Sequence, residues 1–431
     1  MRPMKNRKKY FLVIYCILLP AQGYIFYREG IGGSTYVTYG LFLATIAIAV
    51  HLLTYALTKR NLLSPSLRGN ILLSINAVLF TFFVIEGGLR ASRYVKNLME
   101  GHMTSITYNS QYAEPEDIGW YYNWDTNGTH ALPLKGTDSI YKREVNDEGL
   151  PDDDFPLQKQ PNEFRIISMG DSFTEGDGAP ADSTWVQLLE DMLNARYEKL
   201  TFSNFNAGVM GNDPYFNYMM LKGRLLKYNP DLVIATVNRT DISDILKRGE
   251  MERFLEDGDL AYNEPPWWEW FYAISYIHRR FLNQFFGYEH LLQTPKQRKQ
   301  AQQKAVNGLV DLMERFRNLG QKKDFKFMVV FHPLMDQVRK NDYRFFSKII
   351  HKLKEKPGIH TVDMLDLFIN ETNMNEDNLG RYYWLDDGHH TSQGYLLFAK
   401  LVKQELLKEG LLPSGSAASA STSQGRKSPE N

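Results

Sequence analysis

Residues 163–176 read EFRIISMGDSFTEG, an apolar-rich run followed by a serine between two glycines. Its first eight residues form a short apolar-rich run that ends in glycine, which is typical of a buried strand. Ser172 follows that run after one residue, Asp171, at the start of a helix or turn. In that place its hydroxyl is exposed and its backbone N–H is free to stabilise an oxyanion. Ser172 is therefore a candidate nucleophile, and the alternative is a simple N-cap turn.

Strand-like and helix-like runs alternate downstream of this stretch. The candidate strands are residues 200–206, 231–237, 326–331 and 360–364. The candidate helices are residues 183–198, 215–227, 297–319, 338–355 and 392–409. Such alternation predicts an α/β fold, a three-layer sandwich with a mostly parallel central sheet.

The sequence around these elements divides the chain into further segments. Residues 93–163 are rich in Tyr, Asn, Asp and Gly and predict a juxtamembrane lead-in with short strands at most. Residues 164–412 hold the α/β domain, which an insertion dense in aromatic residues interrupts at about 246–296. Residues 413–431 contain too few apolar side chains to fold, so we expect a disordered tail there.

Residues 1–92 predict a transmembrane module that precedes the α/β domain. Three apolar stretches approach the ~20 residues that a helix needs to cross the hydrocarbon core. They are residues 10–27, 36–57 and 70–89. Basic residues precede the first stretch, and Lys59, Arg60 and Arg68 lie between the second and the third. The positive-inside rule then predicts a multi-pass protein in the lipid bilayer, with its catalytic domain outside the cytoplasm, on the periplasmic side.

Two features of this module have a second interpretation. Residues 1–23 have the basic start of a cleaved signal peptide, although residues 21–23, AQG, are a poor cleavage site. Cleavage would leave two spans. Glu86 is an ionisable group near the edge of the third span, where we expect interfacial snorkelling or an interhelical hydrogen bond rather than a relay or a headgroup contact.

Charge and cysteine content exclude several kinds of site. Residues 1–100 contain 12 Lys and Arg against 3 Asp and Glu, so they carry +9 and the remaining residues carry −9. An acidic remainder without a basic aromatic stripe argues against a nucleic-acid partner. The one cysteine, Cys16, lies in an apolar run, so the chain can form no intrachain disulfide and no cysteine metal knot.

Residues 386–395 read DDGHHTSQGY and form the second chemical motif. A serine nucleophile needs a base, and the base needs a partner that fixes its tautomer. An aspartate three residues before a histidine supplies both groups. Two adjacent histidines also suggest a metal, but few carboxylates at ligand spacing accompany them, so we expect no metal and no cofactor.

The two motifs resemble the first and last sequence blocks of the SGNH/GDSL hydrolases, in the expected order, and the resemblance covers about residues 140–408. Residues 162–189, and residues 146–150 with the sequence NDEGL, are similar to membrane-tethered bacterial members of that family. The resemblance implies an SGNH-type, flavodoxin-like domain. It also implies that Ser172 is both the nucleophile and an oxyanion donor through its N–H.

The last block of the family implies the base and its partner. Gly394 stands five residues after His389, as the family pattern expects, so His389 is the implied base and Asp386 its partner. Asp387 and His390 have the same internal spacing and remain the alternative pair.

The two middle blocks imply further oxyanion donors. The turn at residues 206–211, NAGVMG, is similar to the second block and implies the N–H of Gly211. The third block departs from the family, which has Asn-Asp after the strand. Aligned on Asp241, Thr240 takes the asparagine position, while Asn238 stands two residues earlier. Either side chain remains a candidate donor.

These residues together predict a membrane-anchored serine esterase. The resemblance implies ester-bearing carbohydrate or lipid as substrate, with O-acetyl groups on a surface glycan as the first expectation. Two alternatives stay open. One is an O-acyltransferase that passes the acyl group to a sugar hydroxyl, and the other is a noncatalytic membrane scaffold that retains the fold.

Overall fold

The computed structural model describes residues 36–91, 129–133, 140–255, 275–285, 294–343 and 346–413. The predicted apolar stretch at residues 10–27, the lead-in before residue 129 and the tail after residue 413 lie outside the described residues. The chain forms two compact units. One contains residues 1–109 and 262–299, and the other contains residues 110–261 and 300–431.

Helices and strands alternate along most of the described chain. The helices are α1 Tyr36–Lys59, α2 Pro65–Ala91, α3 Ser172–Glu175, α4 Trp185–Asn194, α5 Pro214–Gly223, α6 Arg239–Arg248, α7 Tyr276–Phe285, α8 Pro295–Lys323, α9 Met335–Lys340, α10 Phe346–Lys354, α11 Met364–Asp366 and α12 Ser392–Lys408. The strands are β1 Thr129–Pro133, β2 Ile140–Glu144, β3 Glu163–Gly170, β4 Thr201–Gly208, β5 Leu232–Val237, β6 Lys326–Phe331 and β7 His360–Asp363. Short helical turns occupy Ala181–Ser183, Leu225–Tyr228, Met251–Arg253, Leu367–Glu371 and Leu379–Arg381.

The first unit contains the two long apolar helices, α1 and α2. Their segments Tyr39–Lys59 and Pro65–Leu89 have mean hydropathies of 2.0 and 1.9, and both are long and apolar enough to cross a membrane. Tyr39 and Leu43, near the start of α1, are buried in a cluster against which Leu79 and Phe83, near the end of α2, pack. The two helices therefore pack as an antiparallel pair.

The second unit is built on a five-stranded sheet with the strand order β4-β3-β5-β6-β7. Each pair of neighbouring strands is parallel. This is the flavodoxin-like order, in which the chain first extends the sheet on one side of β3 and then on the other. The predicted mostly parallel α/β fold is confirmed. All six residues of β5 are buried, as expected for a strand covered on both faces.

Helices flank this sheet and bury large side chains. Trp185 of α4 is 1% exposed, and its ring lies 5.2 Å from that of Phe398 in α12. Phe316 of α8 stacks on Phe327 of β6 at 5.0 Å. Burial of a side chain of this kind stabilises the fold by about 1.5–3 kcal/mol. Such contacts hold the strand ends in place.

The predicted helix at residues 338–355 is wrong as a single element. The structure has α9 and α10 instead, because Asn341 adopts a left-handed conformation with φ of 47° and ends α9. Asparagine is one of the few residues other than glycine that tolerate this conformation at a helix end. In the lead-in, β1 and β2 form an antiparallel pair.

Candidate active site

The carboxyl ends of four parallel strands meet at one edge of the sheet. Gly170, the last residue of β3, pairs with Gly208 of β4, and Val237 of β5 pairs with Phe331 of β6. Three of them, β3, β4 and β5, lead into Ser172, Gly211 and Asn238 respectively. In open α/β sheets this edge, beside the strand where the order reverses, is where ligands bind. In this sheet the order reverses at β3, which leads into Ser172.

The nucleophile turn is held by its own cap. Asp171 is the N-cap of α3, and its carboxylate accepts a hydrogen bond from the Phe173 N–H at 3.0 Å. Ser172 is the first residue of the helix, so its N–H has no acceptor within the helix. The turn packs directly onto β4, because a Cβ atom on Gly208 would lie 2.1 Å from the Glu175 nitrogen. Only glycine allows that approach.

Ser172 and His389 lie in hydrogen-bonding contact, although 217 positions separate them in the sequence. The Ser172 Oγ atom is 2.8 Å from His389 Nε2. On the other side of the ring, His389 Nδ1 is 2.7 Å from Asp387 Oδ2. An Nδ1–H donated to Asp387 leaves Nε2 as the acceptor for the serine hydroxyl. This is the arrangement of a serine, a base and an orienting carboxylate.

The carboxylate beside His389 belongs to Asp387, whereas the sequence predicted Asp386. Asp386 is exposed, and the described residues show no hydrogen bond between it and His389. The reason is a tight turn. The N–H groups of Asp387 and Gly388 both point to the Trp384 carbonyl, and Gly388 has φ of 88°. This turn brings the residue two positions before the histidine to Nδ1.

The alternative pair of Asp387 and His390 is not formed. His390 is 1% exposed, and both of its ring nitrogens bond to groups other than Asp387. Its Nδ1 bonds to the Tyr382 carbonyl at 3.0 Å, and its Nε2 lies 2.8 Å from His332 Nε2. Burial lowers the pKa of His390 to about 3 and the pKa of His332 well below its usual value. Both rings are therefore neutral, and His389 is the histidine in contact with Ser172.

Asn238 lies beside the nucleophile turn, at the end of β5. Its Nδ2 donates to Asp171 Oδ2 at 2.6 Å. Its Oδ1 accepts from the Thr240 N–H at 2.8 Å and from the Thr240 hydroxyl at 2.7 Å. These contacts fix the amide orientation and leave the second N–H of Nδ2 to donate elsewhere. The Thr240 hydroxyl proton is already committed to Asn238. Of the two candidates, Asn238 therefore has the available donor.

Two buried carboxyl groups accept hydrogen bonds from Asn238, one from its side chain and one from its backbone. Asp171 receives its side-chain amide, and Asp241 Oδ2 accepts its backbone N–H at 2.7 Å. Burial raises the pKa of Asp171. Burial and the nearby charge of Asp171 raise the pKa of Asp241 well above its usual value. Asn238 is thus placed by the same aspartate that caps α3.

The sequence comparison assigns the chain to a family. Residues 168–397, more than half of the chain, match the model of the GDSL-like lipase/acylhydrolase family. The chain belongs to this family. It is accordingly an ester-hydrolysing enzyme with a GDSL-type domain.

The chain is also similar to several solved structures. The acetylxylan esterase Axe2 from Geobacillus stearothermophilus is 11% identical, with 56% of this chain and 94% of that chain covered and a TM-score of 0.36. LAE5, an α/β hydrolase from the metagenome of Lake Arreo, is 13% identical, with 58% and 97% covered and a TM-score of 0.37. A two-domain esterase active on acetylated mannans is 14% identical, with 57% and 49% covered and a TM-score of 0.33. No curated protein matches the sequence.

Gly211 of this GDSL domain lies in the loop after β4. Its φ is 71°, a left-handed value that favours glycine. Its carbonyl accepts from Arg248 at 2.6 Å. Within the part of the chain that the structure describes, its N–H donates to no protein group. The Gly211 N–H, the predicted donor, therefore has no acceptor among the described residues.

A buried ion pair that the sequence did not reveal supports this loop. Arg143 Nη1 of β2 donates to Glu175 Oε1 at 2.5 Å, and both side chains are at most 1% exposed. The second oxygen, Glu175 Oε2, accepts from the Met210 N–H at 2.5 Å. Arg143 Nη2 also donates to the Gly176 carbonyl at 2.8 Å. Burial raises the pKa of Glu175 to about 7, although the charge of Arg143 acts in the opposite direction.

Asp177 is a second carboxylate beside His389, which sequence reasoning missed. Its Oδ2 lies 3.6 Å from His389 Nδ1. Ligand atoms of Asp177, Asp387 and His389 lie within 4.8 Å of one another, and a metal ion could bind such a group. That position coincides with the hydrogen bond from His389 to Asp387. Asp177 stands in the GDSFTEGD run, so its closeness to Ser172 in sequence was the available signal.

Proposed function

We propose that this enzyme is a membrane-anchored serine esterase that uses Ser172, His389 and Asp387. The observation that carries the proposal is the 2.8 Å contact between Ser172 Oγ and His389 Nε2. His389 takes the hydroxyl proton as Ser172 attacks the ester carbonyl, and then gives that proton to the departing alcohol. Asp387, 2.7 Å from Nδ1, stabilises the protonated ring. Water then attacks the acyl-enzyme as His389 takes a proton from it, and His389 returns that proton to Ser172 Oγ as the bond between Oγ and the acyl group breaks and the acid departs.

Three donors are proposed for the oxyanion that forms on the carbonyl oxygen. They are the N–H groups of Ser172 and Gly211 and the second amide N–H of Asn238. Each is fixed before the substrate arrives, by the helix start, by the loop on Glu175 and by Asp171 respectively. Donors that need no reorganisation stabilise the developing charge most effectively.

The proposed location follows from the antiparallel pair of apolar helices. Lys59, Arg60 and Arg68 lie in or beside the loop that joins α1 to α2. A cationic loop between two spans favours the cytoplasmic side. The start of α1 and the end of α2 are then outside, and the hydrolase sequence that follows α2 begins there. Labelling His351→Cys in a Cys16→Ser background with an impermeant maleimide, on intact cells, tests this; protection of the thiol overturns it.

The proposed substrate is an ester-bearing carbohydrate or lipid outside the cytoplasm. An O-acetylated glycan is the first substrate to test. The test uses the full chain in detergent and compares it with Ser172→Ala on p-nitrophenyl acetate and on an acetylated polysaccharide. Acetate release by the native chain alone supports the esterase. Equal turnover by both proteins supports the noncatalytic scaffold, and acetyl gain on a second glycan supports the acyltransferase.

A further inference from the structure

Helix α7 begins on a buried carboxylate of α2. Glu86 is 0% exposed, and it accepts three hydrogen bonds from the start of α7. The donors are Ser275 Oγ at 2.8 Å, the Tyr276 N–H at 2.9 Å and the Ile277 N–H at 3.1 Å. The first N–H groups of a helix lack partners within it, and a negative charge at this end is favourable. Glu86 therefore fixes the start of α7 to α2.

The position of Glu86 sets the depth of α7. Glu86 lies three residues before Leu89, the last residue of the apolar segment of α2. At 1.5 Å per residue, this is about 5 Å from the end of that segment. The Tyr39 ring, at the first residue of the apolar segment of α1, packs edge-on against His278 at 5.6 Å. Helix α7 therefore lies where both apolar segments terminate, at the end opposite Lys59.

The exposed side of α7 carries two aromatic side chains. Phe281 is 53% exposed and Phe285 is 66% exposed. They are four residues apart, so they share one face, and their ring centroids lie 4.9 Å apart. Phe80 and Val84 of α2 are also exposed, at 68% and 53%. Both helices therefore have exposed apolar side chains.

We propose that α7 is an in-plane helix at the membrane interface, and that Phe281 and Phe285 contact the boundary between lipid headgroups and acyl chains. A helix that presents apolar rings on one face at the end of a membrane span has the features of an interfacial helix. The proposal rests on the membrane anchoring within the proposed function. Because α7 lies within the hydrolase sequence, the chain is attached to the bilayer both before that sequence and inside it.

Spin labels test this in the full chain reconstituted in nanodiscs of phosphatidylethanolamine and phosphatidylglycerol. The variants are Phe281→Cys, Val84→Cys and His351→Cys, each in a Cys16→Ser background, and His351 is 77% exposed. The measurement is the rate at which each spin label collides with oxygen, which enters lipid, and with a nickel chelate, which stays in water. The ratio of the two collision rates reports whether the label lies in lipid or in water. We expect the oxygen-to-nickel ratio at position 281 to exceed that at position 351 several-fold. Equal ratios at positions 281 and 351, with the label at position 84 protected from nickel, overturn the membrane contact of α7 but leave the membrane anchoring intact. Nickel access at position 84 overturns the membrane anchoring as well.

A second arm tests the role of Glu86. Glu86→Ala removes the acceptor of all three hydrogen bonds, whereas Ile85→Ala changes a neighbouring side chain that is 47% exposed. We expect Glu86→Ala to lower the oxygen-to-nickel ratio at position 281 several-fold and Ile85→Ala to leave it unchanged. An unchanged ratio in Glu86→Ala contradicts the proposed attachment.

Discussion

The Oδ2 atom of Asp387 lies 2.7 Å from the Nδ1 atom of His389. The neighbouring Asp386 is exposed and makes no such contact among the described residues. These two adjacent aspartates form a matched pair for mutation, since they have the same chemistry and differ in their position relative to the base.

Asp387→Asn is expected to lower kcat strongly, because an amide cannot stabilise protonated His389 and favours the wrong tautomer. In a serine protease this change costs ~10⁴-fold, and we expect Asp177 nearby to reduce the loss in this enzyme to ~10²–10⁴-fold. Asp386→Asn is the control and should change kcat by less than a factor of about three, as is usual for an exposed side chain away from the chemistry. A larger loss for Asp386→Asn would reverse the assignment.

Asp177 should help Asp387 to stabilise protonated His389. At 3.6 Å from His389 Nδ1 it is too distant for a direct hydrogen bond, but it still attracts a protonated imidazole. We expect Asp177→Asn to reduce kcat modestly in the native background and more strongly in the Asp387→Asn background, where it removes the remaining carboxylate. A double-mutant cycle measures this coupling. Strictly additive effects would mean that Asp177 does not compensate for the loss of Asp387.

Asn238 and Thr240 should differ as oxyanion donors. Asn238→Ala removes the available amide N–H, and loss of one such donor costs ~10²–10³-fold in kcat. Thr240→Val removes a hydroxyl whose proton already bonds to Asn238 Oδ1, so its effect should be indirect and much smaller. Steady-state kinetics on p-nitrophenyl acetate separates the two. A greater loss for Thr240→Val would assign the donor to the threonine.

The ionisation of Glu175 should make kcat depend on pH. Burial raises its pKa to about 7, so Glu175 is mostly protonated at pH 6 and mostly ionised at pH 8. The ionised form is the better acceptor for the Met210 N–H, which positions the loop carrying Gly211. Glu175→Gln imitates the protonated form at every pH. We therefore expect the ratio of native to Glu175→Gln kcat to rise as the pH increases through about 7; a constant ratio contradicts this role.

The strands were predictable because their apolar runs are buried, and each of the five predicted strands of the sheet has its counterpart. The placement of Ser172 after β3 followed from the same pattern. Other features depend on geometry that spacing does not encode. The turn on Trp384 selects Asp387 over Asp386. The pairing of Arg143 with Glu175 joins residues 32 positions apart through the folded core.

Asn238 shows a further limit of alignment. The family pattern directed attention to Thr240, because Thr240 stands one residue before an aspartate. In the structure Asn238 is the N-cap of α6, and Asp241 completes a capping box with it. The helix start therefore orients Asn238 beside Asp171. Local capping rules, rather than alignment to Asp241, identify the available donor.

The contact between Ser172 and His389 is tested most directly by the rate of covalent capture. The full chain is treated with a fluorophosphonate at pH 8, and the modified residue is identified by mass spectrometry of its peptides. We predict an adduct on Ser172 in the native protein, none in Ser172→Ala, and much slower modification in His389→Ala. Modification of Ser172 at the same rate in His389→Ala, or an adduct on another residue, would contradict the account.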